Sequence, residues 1–229
     1  MKVALYTLTR ERLDYTKHCF STLREKAGYS FDHYVVDNGS QDGTDVWLVE
    51  EYQAQNPNVI IILNKENMGI SVGSNQALDE MRGNDYDLIF KMDNDCEVLF
   101  EGIIERIVRI YQSLPDLSGE YMLSPKVEGI INQPIRARKT MIDDCTIGVT
   151  GMVGGLFHVM RGPVYQRYRF DHSLPKASGQ DEGVCGWFRK QGGTCGYIEN
   201  IRVAHYETTT GQAKRYPEYF QRKWKEEKK

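Results

Sequence analysis

The strongest constraint on this chain is a regular alternation of short apolar runs with helical patterns through its first hundred residues. Residues 3–8 (Val-Ala-Leu-Tyr-Thr-Leu) read as a buried strand. Residues 11–27 then set Leu13, Thr16, Phe20, Leu23 and Ala27 on one helical face. A second strand at 34–37 stops in the concentrated turn of residues 38–43. A helix through Val46 and Tyr52 must end before Pro57. Residues 59–63 form an unbroken, mostly β-branched run, which predicts a third strand buried on both faces. A helix at 71–81, a fourth strand at 87–92 and an amphipathic helix on Ile103, Ile104, Ile107, Val108 and Tyr111 complete the series. Such alternation predicts an α/β fold with a mostly parallel sheet and helices on both faces. In sheets of this kind ligands bind beyond the carboxyl ends of the strands. Three of the four strands end there in polar, glycine-rich or acidic residues.

After residue 100 the pattern loosens. Strand-like pieces are expected at 121–128 and 150–160, the latter enclosing Gly151, Gly154 and Gly155. A helix is expected at 181–191, then short strands at 194–199 and 202–206. With 229 residues and neither repeats nor low-complexity tracts, the expectation is a single domain over 1–229. Within it we distinguish a ligand-binding half (1–100), a half that completes the site (101–210) and a basic, aromatic C-terminal helix (211–229). No apolar run is long enough to span a bilayer, and no secretory leader is evident. Five cysteines, an odd number, argue for free buried thiols in a reducing compartment, hence a cytoplasmic protein. The net charge of −3 hides an asymmetry: the last sixteen residues carry seven Lys/Arg against three Glu, so the remainder is acidic. That tail spaces Tyr216, Tyr219, Phe220 and Trp224 three to four residues apart. It reads either as an amphipathic helix that closes the fold or as a docking element for something anionic.

Three clusters carry chemistry. Asp93-Asn94-Asp95 closes the fourth strand, and two carboxylates at that spacing can converge on one hard cation completed by phosphate oxygens. An Asx-turn explains the same residues without a ligand. Residues 37–44 (Asp-Asn-Gly-Ser-Gln-Asp-Gly-Thr) and 67–76 (Asn-Met-Gly-Ile-Ser-Val-Gly-Ser-Asn-Gln) allow close backbone approach. Each reads equally as a capped or glycine-rich turn. Cys145, Cys185 and Cys195 are too loosely spaced for a zinc site.

In this order the clusters resemble the glycosyltransferases of the GT-A fold, family two. Asp37, Ser40, Asp42, Gly43 and Thr44 fit the pattern D-x-x-S-x-D-G-T. Asn67, Gly69 and Asn75 fit N-x-G-x-x-x-x-x-N, and Asp93 and Asp95 fit D-x-D. The family's usual proline after the first strand is missing beside Thr7, Thr9 and Arg10. The resemblance implies a Rossmann-like GT-A sheet and a nucleotide-sugar donor, with UDP the expected nucleotide. It implies that Asp37 reads the base, with Thr7, Thr9, Arg10, Asn38 and Ser40 around it. It places Asn67, Gly69 and Asn75 near base and ribose. Asp93 then lies at the ribose or the metal, Asn94 belongs to the nucleotide site, and Asp95 is a ligand of Mn²⁺ or Mg²⁺. The family's late acidic motif is degraded here to Gly179-Gln180-Asp181-Glu182-Gly183. It makes Asp181 the expected general base, with Glu182 the alternative. His205 is a further candidate near the metal, with His158 and His172 weaker ones. Gly154, Gly155 and Trp187 are expected near the donor sugar and acceptor.

The expected reaction is an inverting single displacement onto an acceptor hydroxyl, and the residues leave the acceptor open among glycan, lipid, protein and modified nucleic-acid base. Arg136, Arg138, Lys139, Arg161, Arg167 and Arg169 near Tyr165, Tyr168 and Phe170 raise a nucleic-acid acceptor as a minority reading. The lack of a spanning segment argues against a processive synthase, while peripheral membrane contact stays open. Two other classes remain. A nucleotidyltransferase would need a glycine-rich loop after the first strand, where residues 7–10 contain no glycine. A non-catalytic sugar-nucleotide-binding module is compatible with the degraded acidic motif.

Overall fold

The computed structural model describes residues 1–114, 120–129, 136–176 and 178–226. The alternation predicted for the first hundred residues is present. Strand β1 (Val3–Thr9) leads to helix α1 (Leu13–Lys26), then β2 (Asp32–Asn38) and α2 (Thr44–Trp47), which continues as a π-helical turn over Leu48–Gln53. Next come β3 (Val59–Asn64), α3 (Gly69–Glu80), β4 (Leu88–Asp93), the short β5 (Cys96–Val98) and α4 (Ile103–Ser113). β6 (Tyr121–Glu128) opens the second half. It is followed by β7 (Arg136–Ile142), β8 (Cys145–Thr150), β9 (Phe157–Arg161), α5 (Gly162–Tyr165), α6 (Gln180–Lys190), β10 (Thr194–His205), α7 (Thr209–Arg215) and α8 (Pro217–Glu226).

One ten-stranded sheet runs through both halves in the order β3-β2-β1-β4-β9-β6-β10-β8-β7, with β5 paired to β10. The first four strands are mutually parallel, and β9 joins β4 antiparallel. β4 therefore lies inside the sheet between β1 and β9. Its residues Leu88 to Met92 are all buried, which is why it reads as a near-continuous apolar run. Register brings the polar strand ends together: Thr9 stands beside Asp37, and Leu8 beside Asp93.

Four expectations are corrected. β3 is an edge strand, not buried on both faces: it pairs with β2, and Leu63 is 51% exposed. A β-branched run satisfies pleated pairing at an edge as well as in a centre. Gly151, Gly154 and Gly155 lie in the loop between β8 and β9 rather than inside a strand. The two short strands near 194–206 are one strand, β10, whose register against β6 shifts between Ile198 and Arg202. The C-terminal segment is two helices, because Pro217 cannot continue α7 and instead opens α8. The β7–β8 hairpin went unforeseen; its turn holds Asp143 at φ 55°, a left-handed conformation that Asp tolerates better than most residues. All five cysteines are buried and unbridged. Among the described residues no helix is long and apolar enough to cross a membrane.

Candidate active site

The site opens where the parallel strands end. A cavity of about 150 Å³ lies over Thr9, Arg10, Asn38, Asn67 and the Asp93-Asn94-Asp95 turn. A second, of about 260 Å³, adjoins it and is lined by Lys91, Asp93, Asp95, Asp181 and His205. The two share Arg12, Ile70, Asp93, Asp95 and Lys223, so the acidic turn lies at the partition between them.

Asp37 lies just beneath the first cavity and is almost completely buried. Its carboxylate accepts hydrogen bonds from Thr9 Oγ1 (2.8 Å), Ser40 N (2.9 Å) and Ser40 Oγ (2.6 Å). Thr7 is fully buried beside His33, at 3.1 Å from the imidazole Nε2. Asn38 donates to the Gly69 carbonyl at 3.4 Å, tying the second strand end to α3. Asn67 Oδ1 accepts from Gly69 N at 3.0 Å, and the left-handed φ of 82° at Gly69 lets the chain pass against Lys176. Asn75 faces away from these cavities; its amide both donates to and accepts from the backbone of Phe170.

Asp95 faces three protein groups drawn from distant parts of the chain. Arg12 Nη1 lies 3.4 Å from its carboxylate, Gln212 Nε2 donates to it at 3.0 Å, and His205 Nδ1 stands 4.0 Å away. Burial alone would raise its pKa, but Arg12, His205 and Gln212 outweigh that and hold the carboxyl below its ordinary range. Asp93 goes the other way: burial, with Asp95 and Asp181 nearby, pushes it up against the opposing pull of Lys91. Asn94 is a brace, accepting from Arg12 at 3.0 Å and donating to Thr16 at 3.0 Å. Arg12 reaches this position because Glu11 and Arg12 are both left-handed (φ 51° and 58°), a strained turn between β1 and α1.

Lys91 is the residue the motifs did not reveal. It sits on β4 two positions before Asp93, hence on the same face. Its ammonium donates to Asp93 Oδ1 and to the Gly155 carbonyl, each at 2.5 Å. Gly155 N in turn donates to Asp181 Oδ2 at 2.7 Å. Burial disfavours the ammonium, yet Asp93 and Asp181 more than compensate and hold its pKa above the ordinary lysine value. A lysine inside an otherwise apolar strand was the available signal, since a buried ammonium needs a carboxylate partner.

Asp181 and Glu182 diverge. Both lie in the first turn of α6, but Asp181 faces Asp93, Lys91 and His205, whereas Glu182 lines a cleft on the outer side of the helix together with Trp187. Trp187 packs its ring 5.1 Å from Tyr168 and does not line either inner cavity. Gly154 N donates to the Tyr197 hydroxyl at 2.9 Å, at the edge of the inner site. His158 and His172 are structural: the first pairs with the Tyr165 hydroxyl (2.7 Å), the second with the Asn75 amide (2.7 Å). Tyr165, Tyr168 and Phe170 are buried, which removes the stacking platform that a nucleic-acid acceptor would need.

Over 72 residues the chain is 40% identical to the uncharacterized glycosyltransferase YfnE of Bacillus subtilis (strain 168), which is 31% of this chain and 17% of that protein. The mannosyltransferase PcManGT from Pyrobaculum calidifontis, solved with GDP-Man and Mn²⁺, superposes with a TM-score of 0.67 at 13% identity, covering 95% of this chain and 60% of its own. TarS 1–349 of S. aureus, solved with UDP-GlcNAc, superposes at 0.64 and 16% identity, covering 89% and 58%. The chain thus spans less than two thirds of each of these proteins. At such identities the solved structures speak for the fold, which is GT-A-like. Residues 6–169, well over half of the chain, match the model of glycosyl transferase family 2, and the chain belongs to that family.

Proposed function

We propose that this protein transfers a sugar from a nucleoside-diphosphate donor to an acceptor hydroxyl by a single inverting displacement, with Asp181 as general base. The observation that carries the reading is the shared cavity: Asp181 and the Asp93–Asp95 pair face one space, with the Lys91 ammonium between them. The donor's base and ribose lie over Thr9, Arg10, Asn38 and Asn67, and its sugar points toward Asp181. Asp37, almost completely buried and lining neither cavity, shapes the base pocket by fixing Thr9 and Ser40, and UDP as the donor nucleotide rests on the family resemblance. As the acceptor hydroxyl attacks the anomeric carbon, Asp181 takes its proton while the bond to the diphosphate breaks on the opposite face. Gly155 N–H holds the carboxylate in place for that transfer.

The residues fit a divalent cation. Asp95 and His205 face each other across the cavity, and Mn²⁺ or Mg²⁺ suits oxygen and imidazole donors. Among the described residues no three His, Cys, Asp or Glu side chains close on one point, so the shell would be completed by donor phosphates and water. A cation held there supplies charge stabilisation to the departing diphosphate. Donor turnover, read as nucleotide release from a panel of nucleotide sugars with Mn²⁺, tests the reading. Asp181→Asn abolishes turnover and leaves donor binding within a few fold. Near-normal turnover in Asp181→Asn would refute the base assignment, and full activity in EDTA would remove the metal.

A further inference from the structure

The family match ends at residue 169, so the basic C-terminal segment stands outside it. In the structure this segment is tied down across the site. Arg215 and Tyr216 bond Asp14, and Arg222 bonds Glu11. The ring of Tyr219 lies 4.9 Å from the Arg12 guanidinium and 5.8 Å from that of Arg10. Phe220 is buried. One turn on, Lys223 shares this inward face, since positions three and four apart on a helix are neighbours.

Lys223 lines both inner cavities, as Arg12, Asp93 and Asp95 also do. It therefore stands at the junction of the nucleotide cavity and the Asp181 cavity. If a donor lays its base in one and its sugar in the other, the diphosphate must cross this junction. The Arg12 guanidinium is already committed to Asp95, Asn94 and Gln212. Lys223, by contrast, meets the Phe220 ring at 5.7 Å and, among the described residues, no carboxylate. A compact ammonium with three donors is well suited to a phosphate oxygen.

We propose that Lys223 is a donor-binding residue whose ammonium holds a non-bridging oxygen of the donor diphosphate, making helix α8 a structural part of the nucleotide site. The inference rests on the nucleotide-sugar reading above. Truncating the tail would expose Phe220 and confuse binding with folding, so the test uses point variants of the full chain. Calorimetric titration with UDP and GDP, their monophosphates and their nucleosides, at low salt with Mn²⁺, separates the contributions. For whichever diphosphate the wild type binds, Lys223→Ala weakens affinity ten-fold or more and leaves the nucleoside unchanged. Lys223→Arg retains most of the affinity, and Lys225→Ala, on the exposed face of the same helix, matches wild type. Unchanged diphosphate affinity in Lys223→Ala overturns the inference, as does an equal loss for the nucleoside. Tighter binding would show instead that α8 obstructs the site. A wild-type chain that binds neither UDP nor GDP overturns the nucleotide-sugar reading and this inference with it.

Discussion

Lys91 is a cation buried on an inner strand, and such a group persists only where carboxylates surround it. Here it links the D-x-D turn to the loop that holds Asp181. Replacing it with Met keeps the apolar stem but leaves Asp93 and Asp181 mutually repelling across the cavity. Lys91→Met is expected to lower kcat by about 10²-fold or more, on the scale of losing one preorganised electrostatic contact; kcat within a factor of three of wild type would argue against its role. Gly155 is constrained by the same network. A Cβ there would fall 2.4 Å from Asp181 Oδ1 and 2.8 Å from Lys91 Nζ, so one side chain must move. Gly155→Ala is expected to cost about 1–3 kcal/mol in urea unfolding through overpacking and to abolish most turnover. A variant that kept both stability and turnover would show that the loop can yield.

At the scale of elements, the sheet edge and the C-terminal helices carry the lessons. β3 reads as a core strand by composition, yet its neighbour on one side is solvent. Leu63→Lys on β3 is expected to change stability by about 0.5 kcal/mol or less, as exposed substitutions do, whereas Val36→Ala on β2, fully buried, costs about 2 kcal/mol. Thermal or urea melts of the two variants check this, and a large loss at Leu63 would mean that the edge is covered in solution. The tail illustrates the reverse case. Its aromatic spacing was legible as an amphipathic helix, but periodicity names a face and not the surface that it meets. Arg12 and Gln212, which bond each other at 2.5 Å and both reach Asp95, lie 200 residues apart.

For the molecule as a whole, the buried imidazoles set an acid limit. Burial, reinforced by the Lys91 charge, lowers the His158 pKa to about 3, and burial holds His33 well below its ordinary value too. Between roughly pH 6.5 and 3 the unfolded chain binds protons that the folded chain refuses. Stability is therefore complete above the unfolded pKa and falls as pH drops through this window, by about 1.4 kcal/mol per pH unit for each such histidine. Urea midpoints between pH 7 and 4.5 should show this slope, and His158→Gln should remove about one proton's share of it. Identical slopes in variant and wild type would assign the acid sensitivity elsewhere.

The sequence by itself determined the α/β alternation, the polar strand ends and the family, because hydrophobic period and local turn chemistry are written in neighbouring residues. The family resemblance made Asp181 the expected base and Glu182 the alternative. Only the tertiary structure decided that one faces the inner cavity and the other the outer cleft, since that depends on how α6 packs. It alone set Lys91 against Asp93 and Gly155, paired Arg12 with Asp95, and laid the basic tail across the junction of the two cavities. These are contacts between residues tens to hundreds of positions apart, fixed by strand order and register, and no local pattern encodes them.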